Sequence, residues 1–489
     1  MYIAFFNPQG NFDKNDSYWT EHPDFGGQLV YVKEVAIAMS KQGHKVDIFT
    51  RKICDPDWPE FKKEFDEYEN VENVKILRMP CGPNNFLSKE ELWPYLNEWV
   101  NNIIKYYKKQ ERMPDFVTTH YGDGGLSGAI FKENLGIPFS FTSHSLGAQK
   151  MDKLGITEEN FDTMDSKYKF SYRIYAERIA MLSSSIIFTS TVQERDEQYK
   201  HFLYKGAGDV YNPEKFRVVP PGANTSIFND YKNDENDIKI KEYIYKMLYR
   251  DLDEDRISMP SIISSSRLDP KKNHIALVEA YAKSGELQNN ANLVIVLRGL
   301  ENPLEDYSQA KEGEKEILDQ IIKYIKQYNL KGKVSIFSIN NQNDLASAYR
   351  TFAKTHSIFA LTSVYEPFGL APIEAAACGL PVVVTKFGGP VDVLYENGEK
   401  YGVLIDVFDI KDIERGILEA FKNYDFYKKQ GIKRVKSKYT WDATARGYIE
   451  AIQSIKQDYS NNIQIPAEFK KIFKQNPFKN WLKEKYFSK

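Results

Sequence analysis

Short apolar runs alternate with longer amphipathic stretches along nearly the whole chain. Tyr2–Phe6, Lys45–Thr50, Lys75–Arg78, Phe116–Thr119, Phe139–Thr142, Ile186–Thr189 and Phe216–Val219 read as strands. Gln28–Gln42, Glu90–Lys109 and Phe170–Ser183 carry helical spacing between them. Apolar strands that alternate with helices imply a mostly parallel sheet. Val219-Pro-Pro-Gly222 continues neither strand nor helix and marks a boundary. A charged stretch, Asp230–Asp255, predicts a helical insert. A second alternation then begins, with strands at Ser261–Ser265, Leu293–Arg298, Lys333–Phe337, Ile358–Thr362, Pro381–Thr385 and Gly402–Ile405. The pattern predicts two doubly wound α/β domains, residues 1–221 and 222–440, then a helix at about 441–455 and a tail over 456–489.

Length agrees with this division, since 489 residues is about three typical domain lengths. Sixty-six basic against 68 acidic residues leave a net charge of −2, which argues against a general nucleic-acid binder. Any recognition of phosphate must then be local. Cys54, Cys81 and Cys378 have no paired spacing, so neither a disulfide framework nor a metal site is expected, and a reducing cytoplasm is the simplest setting. MYIAFFNPQG lacks a basic leader and reads as a first strand, and no apolar run is long enough to span a membrane. Between Glu468 and Lys489 seven lysines are interleaved with Phe469, Phe473, Phe478, Trp481, Tyr486 and Phe487. This segment suits packing on the protein's own surface, with contact at a membrane surface as the alternative.

The candidate chemistry lies in TSVYEPFGLAPIE, Thr362–Glu374, with RLDPKKN, Arg267–Asn273, upstream. Glu366 and Glu374 flank a Pro-Phe-Gly turn. Leu370–Gly379 predicts a helix with Pro372 in its first turn and Gly379 as its stop. Free amides at a helix start, acidic acceptors for hydroxyl groups and a nearby Arg/Lys pair for a diphosphate suggest a nucleotide-sugar site. HYGDGGLSG, His120–Gly128, fails the dinucleotide spacing because Ser127 stands where the third glycine belongs, and it reads as a glycine-rich loop. Gly26 and Gly27, before Gln28, permit close backbone approach to a ligand. Lys89, Tyr121, His144, Lys150, Arg173 and Arg178 supply cations and polar groups suited to a sugar phosphate. Arg173 and Arg178 are expected on roughly one side of a helix.

The Glu-x7-Glu spacing with Arg267 and Lys272 resembles the retaining GT-B glycosyltransferases that include glycogen, sucrose and sucrose-phosphate synthases. NPQGNF at Asn7–Phe12, HPDFGGQLVYV at His22–Val32 and the acceptor-side segments closely resemble the bacterial sucrose-phosphate synthase family. The resemblance implies a GT-B fold, two Rossmann-like domains facing across a cleft, with the last helix crossing back onto the first domain. It implies transfer of glucose from UDP-glucose to fructose 6-phosphate, without an essential metal. Arg267 and Lys272 would hold the donor diphosphate and Glu374 the ribose. Glu366, with the amides of Phe368, Gly369 and Leu370, would hold the transferred sugar, while Gly27 and the loop at Asn340 complete the donor site. Gly26, Gln28, Lys89, Tyr121, Lys150, Arg173 and Arg178 would bind the acceptor, with His144 near the transferred glucose. Removal of the product's phosphate would need a separate phosphatase. Alternatives are a mannosylfructose-phosphate synthase using GDP-mannose, a sucrose synthase using free fructose, a hydrolase built on Glu366 and Glu374, and a non-catalytic sugar-phosphate sensor.

Overall fold

The computed structural model describes residues 1–19, 27–455, 464–471 and 476–488. The chain forms two compact units, Met1–Pro220 with Thr444–Lys489, and Pro221–Ala443.

The first unit is built on an eight-stranded sheet. Its strands are β1 (Tyr2–Phe6), β2 (Lys45–Arg51), β3 (Phe65–Asp66), β4 (Val74–Met79), β5 (Phe116–His120), β6 (Phe139–Thr142), β7 (Ile186–Thr189) and β8 (Phe216–Val218). They lie in the order β3-β4-β2-β1-β5-β6-β7-β8, parallel except for the short β3. The chain winds outward from β1 on one side and returns on the other beginning with β5. The order therefore reverses between β1 and β5, and a crevice opens beyond their carboxyl ends. Asn7 and Tyr121 are the first residues past those two ends.

Helices α1 (Gly27–Lys41), α2 (Leu96–Lys109), α3 (Tyr121–Leu135), α4 (Gly147–Lys153), α5 (Phe161–Tyr168) and α6 (Phe170–Ser183) flank the sheet. Two expectations are corrected here. The helix expected from Glu90 begins at Leu96, because Pro94 breaks the approach into two 3₁₀ turns. The glycine-rich segment is no loop: it is the first half of α3, buried from Gly122 onward. Its glycines serve packing, since a Cβ on Gly124 would stand 2.6 Å from the Phe6 carbonyl oxygen, and one on Gly125 2.6 Å from the Ala180 methyl.

The helix Trp441–Gln453 closes this unit: Tyr448 stacks on Phe188 with ring centroids 3.8 Å apart and hydrogen-bonds Tyr31 and Thr142 at 3.0 and 2.8 Å. The described part of the tail packs on the same unit. Phe469, Phe478 and Leu482 are buried, Tyr175 stacks on Phe478, Lys479 pairs with Asp162, and Tyr486 donates to Asp152. These side chains pack on the protein's own surface, the first of the two expectations for this segment. Phe473, Lys474 and Lys489 lie outside the described residues. No helix among the described residues is long and apolar enough to cross a membrane.

The second unit carries a six-stranded parallel sheet in the order β11-β10-β9-β12-β13-β16: β9 (Ser261–Ser265), β10 (Asn292–Leu297), β11 (Val334–Ser338), β12 (Ile358–Leu361), β13 (Val382–Thr385) and β16 (Val403–Ile405). A small hairpin, β14 (Tyr395–Glu396) and β15 (Glu399–Lys400), stands apart. The charged insert is a helix, Glu235–Asp251, started by an Asp234–Asp237 capping box. It is locked to the helix Gln342–Ala353 by a buried Asp237–Arg350 pair, closest at 2.6 Å. Apolar side chains cover both sheet faces, which is why the strands read as short, mainly hydrophobic runs. Here the order reverses between β9 and β12, and their carboxyl ends lead directly into Arg267 and Glu366.

Candidate functional site

In the second unit the two motifs meet at the switch point. Val364 N–H donates to the Lys271 carbonyl at 2.9 Å, Thr362 Oγ1 donates to the Asn273 carbonyl at 2.9 Å, and Lys272 Nζ reaches Glu366 Oε2 at 2.7 Å. Ser363 Oγ adds a bond to Glu366 at 3.2 Å. The Glu366 backbone is paired on its other side, accepting from Gly389 N–H and donating to the Phe387 carbonyl. Close approach requires Gly388, with φ +111, where a Cβ would fall 2.0 Å from the Glu366 carbonyl oxygen. Glu366 is thus held on a rigid strand-like segment with a cation fixed beside it.

The helix that follows runs Leu370–Ala377, with Gly369 in a left-handed conformation before it. Its first-turn N–H groups have no partners within the helix. Phe368 is buried against Tyr439, Pro372 lies in the first turn, and Glu374 is half-buried. Arg267 is exposed, while its carbonyl accepts from His274 Nε2 at 3.2 Å. Burial pushes His274 down to about 4, so this imidazole is neutral. Asn340 is exposed and accepts from Gly299 N–H at 3.1 Å, joining the loops after β10 and β11.

In the first unit a second cluster forms at its switch point. Tyr121 takes the left-handed region, φ +69, and its ring lies under the Arg173 guanidinium at 4.5 Å. Burial pushes the Tyr121 phenol up, and Arg173 and Lys89 act against that shift. Arg173 is buried and donates to Glu177 at 2.8 Å, to the Ser145 carbonyl at 2.6 Å and to Ser145 Oγ at 3.1 Å. Burial opposes its charge, but Tyr121 and Glu177 outweigh that, and the guanidinium stays protonated. Lys150 projects from α4 over the Tyr168 ring at 4.2 Å.

His144, also left-handed at φ +54, contacts His120 (Nε2 to Nδ1, 2.9 Å) and stands edge-on to Tyr31. Burial pushes His144 down to about 3, so it works as a neutral ring. Beside this lies an amide ladder: Gln28 Nε2 donates to Asn7 at 2.9 Å, Gln9 Nε2 to Gln28 at 2.7 Å, and Gln9 N–H to Asp123 at 3.1 Å. Asn7 Nδ2, Gln9 Oε1 and Asp123 Oδ1 are buried without a partner. Burial pushes Asp123 up to about 7.

Gly27 opens α1 beside Gln28, whereas Gly26, with His22, lies outside the described residues. Arg178 is not brought to Arg173. Five helical steps turn it about 140° away, where it donates to the Leu203 and Lys205 carbonyls and faces Trp481 at 5.8 Å. Sequence reasoning did not single out His120, Asp123, Ser145 or Glu177. Among the described residues no group of three or more His, Cys, Asp or Glu side chains is placed to hold a metal ion.

Two open parallel sheets of this kind, with a basic and acidic pair at the second switch point, define a GT-B glycosyltransferase. Comparison with known proteins agrees: residues 257–436 match the model of glycosyl transferases group 1, and residues 1–249 that of the first GT-B domain of sucrose synthase. The chain is 47% identical to a probable sucrose-phosphate synthase of Thermosipho melanesiensis, across 96% of this chain and 99% of that one. It is 30% identical to the sucrose-phosphate synthase of Zea mays, across 92% of this chain but 47% of the plant enzyme. A solved sucrose-phosphate synthase from Thermosynechococcus elongatus superposes with a TM-score of 0.66 at 22% identity, covering 93% of this chain and 99% of that one. The chain belongs to the sucrose-phosphate synthase family.

Proposed function

We propose that the enzyme transfers a glucosyl group from UDP-glucose to the anomeric hydroxyl of fructose 6-phosphate, with retention at the glucosyl carbon. The bond from the glucosyl anomeric carbon to the diphosphate oxygen breaks, a bond to the acceptor oxygen forms on the same face, and the acceptor proton passes to the leaving diphosphate. The products are sucrose 6-phosphate and UDP. The names of the relatives support this product, and the observation that carries the donor half is Lys272 fixed 2.7 Å from Glu366 at the end of the second sheet.

In this reading Arg267 and Lys272 take the charge that grows on the leaving diphosphate, stabilising the transition state more than the ground state. That assigns to side chains the work a metal ion does elsewhere. Glu366 and the amides at the start of the Leu370 helix bind the glucosyl hydroxyls, and Glu374 the ribose. Gly27 and the Asn340 loop complete the donor contacts.

Arg173, Lys150 and Lys89 bind the acceptor phosphate beside Tyr121. Gln28 and the partnerless atoms of Asn7, Gln9 and Asp123 bind its hydroxyls, because buried polar groups left unpaired in the free protein are costly unless a ligand or water meets them. Neutral His144 contacts the transferred glucose. The product keeps its phosphate, so its hydrolysis falls to a separate phosphatase.

The test is product formation with UDP-, ADP- and GDP-glucose and GDP-mannose, each offered fructose 6-phosphate or fructose. Release of UDP with UDP-glucose and fructose 6-phosphate alone is expected. Preference for GDP-mannose, or equal use of free fructose, would overturn the donor or the acceptor assignment respectively.

A further inference from the structure

Glu177 touches no group assigned above to substrate except Arg173, yet it sits where the acceptor cluster converges. It is fully buried on α6. Both carboxylate oxygens accept from Gly147 N–H at 3.0 Å, Oε1 also accepts from Arg173 Nε at 2.8 Å, and Oε2 accepts from the Tyr204 hydroxyl. Burial pushes the Glu177 carboxyl up, while the guanidinium, the Tyr204 hydroxyl and the Gly147 amide, all donating to it, favour the carboxylate. These partners come from separate segments: the start of α4, α6 itself, and the turn Phe202–Tyr204. The fit at Gly147 is tight, since a Cβ there would lie 2.9 Å from Ile174 Cγ1 and 3.2 Å from Glu177 Oε2.

We propose that Glu177 is a positioning residue for the acceptor phosphate. Through Arg173 it fixes the guanidinium over Tyr121 and against Ser145, next to His144. Through Gly147 it fixes the start of α4, three residues before Lys150. One buried carboxylate thereby sets two cations from different helices before the ligand arrives, and the ordering cost of the site is met in the fold instead of in binding. Glu366, the carboxylate of the donor side, has no part in this arrangement.

The inference rests on the acceptor reading above, and the experiment separates the two. Steady-state kinetics of the full chain are measured for wild type, Glu177→Gln and Tyr204→Phe, varying fructose 6-phosphate at saturating UDP-glucose and then the reverse. UDP binding is measured by calorimetry as a check on the second unit.

Glutamine keeps the size but turns a donor toward donors. KM for fructose 6-phosphate is expected to rise about tenfold or more, with kcat and the UDP-glucose KM within about twofold, as loss of a charge-assisted bond requires. Tyr204→Phe removes one neutral donor and shifts the same KM about two- to fivefold in the same direction. If both KM values and kcat fail together in Tyr204→Phe while UDP still binds, or if the acceptor KM is unchanged in both variants, Glu177 is structural and the proposal is overturned. A wild-type enzyme that does not turn over fructose 6-phosphate overturns the acceptor reading, and this role with it.

Discussion

Gly124→Ala probes whether the junction of β1 and α3 is as close as it looks. Gly124 lies in the first turn of α3, and an added Cβ would meet the Phe6 carbonyl oxygen at 2.6 Å, the Phe6 carbonyl carbon at 3.6 Å and Pro8 Cδ at 3.8 Å. The obstacle is backbone and cannot rotate away. Restoring ordinary contact moves the helix start from the strand end by about 0.8 Å, an overpacking cost of roughly 1–3 kcal/mol. Alanine returns about 0.8–1 kcal/mol in helix propensity. The net destabilisation is then up to about 2 kcal/mol, and Tm falls by up to roughly 8 °C for a unit of this size. The same displacement stretches the Gln9–Asp123 bond that spans the junction. An error of this size in a binding group costs up to about 100-fold, so we expect KM for fructose 6-phosphate to rise about tenfold and KM for UDP-glucose to stay put. Calorimetric unfolding and two-substrate kinetics read both quantities. A variant as stable as wild type with an unchanged acceptor KM would refute the reasoning, showing that the junction yields without cost and that the loop after β1 takes no part in binding.

Lys272→Ala is expected to lower kcat by about 100- to 1000-fold, the usual loss for one preorganised charge-stabilising donor, and a rapid-quench assay showing less than a tenfold loss would remove Lys272 from the transition state. Treatment with EDTA leaves turnover unchanged if Arg267 and Lys272 neutralise the diphosphate; a loss restored by a divalent cation would give that work to a metal. Asp123, buried and pushed up to about 7, binds a proton in the folded state that the unfolded chain, near pKa 3.9, has already lost. Between those values the native state holds more protons, so this group makes stability fall as pH rises, by up to about 1.4 kcal/mol per unit. Asp123→Asn should therefore gain on wild type in urea unfolding as pH goes from 4.5 to 7.5, and parallel curves for the two proteins would contradict the burial argument.

The two sheets were legible because both faces of each are covered, which makes the strands read as short, mainly apolar runs. Arg267, Lys272 and Glu366 were legible because one motif follows each strand that flanks the second switch point. Misreadings arose where tertiary packing overrode local preference. Gly122, Gly124, Gly125 and Gly128 lower helix propensity, yet they form a helix because close approach to β1, β6 and α6 demands residues without side chains. Glu177, four residues after Arg173, has the spacing of an ordinary exposed ion pair, and only the fold shows that the pair is buried and shared with Gly147 and Tyr204. Arg178 looked like a partner of Arg173 because both are arginines on one helix, but the helical angle sends it to the side where Trp481 lies. His120 was hidden as the last residue of a strand, and nothing local marks it as a neighbour of His144.

The first unit is discontinuous: its apolar clusters contain Phe469, Phe478 and Leu482, which follow the entire second unit in sequence. On a ribosome adding about 5–20 residues per second, these side chains emerge roughly a quarter of a minute to a minute after Pro220. Until then Phe161, Tyr172 and Tyr175 on α5 and α6 lack the ring contacts that Phe487 and Phe478 give them. The second unit is translated in one piece and can finish first. The packing of the first unit thus cannot be complete until the end of the chain has emerged, whereas that of the second unit can be.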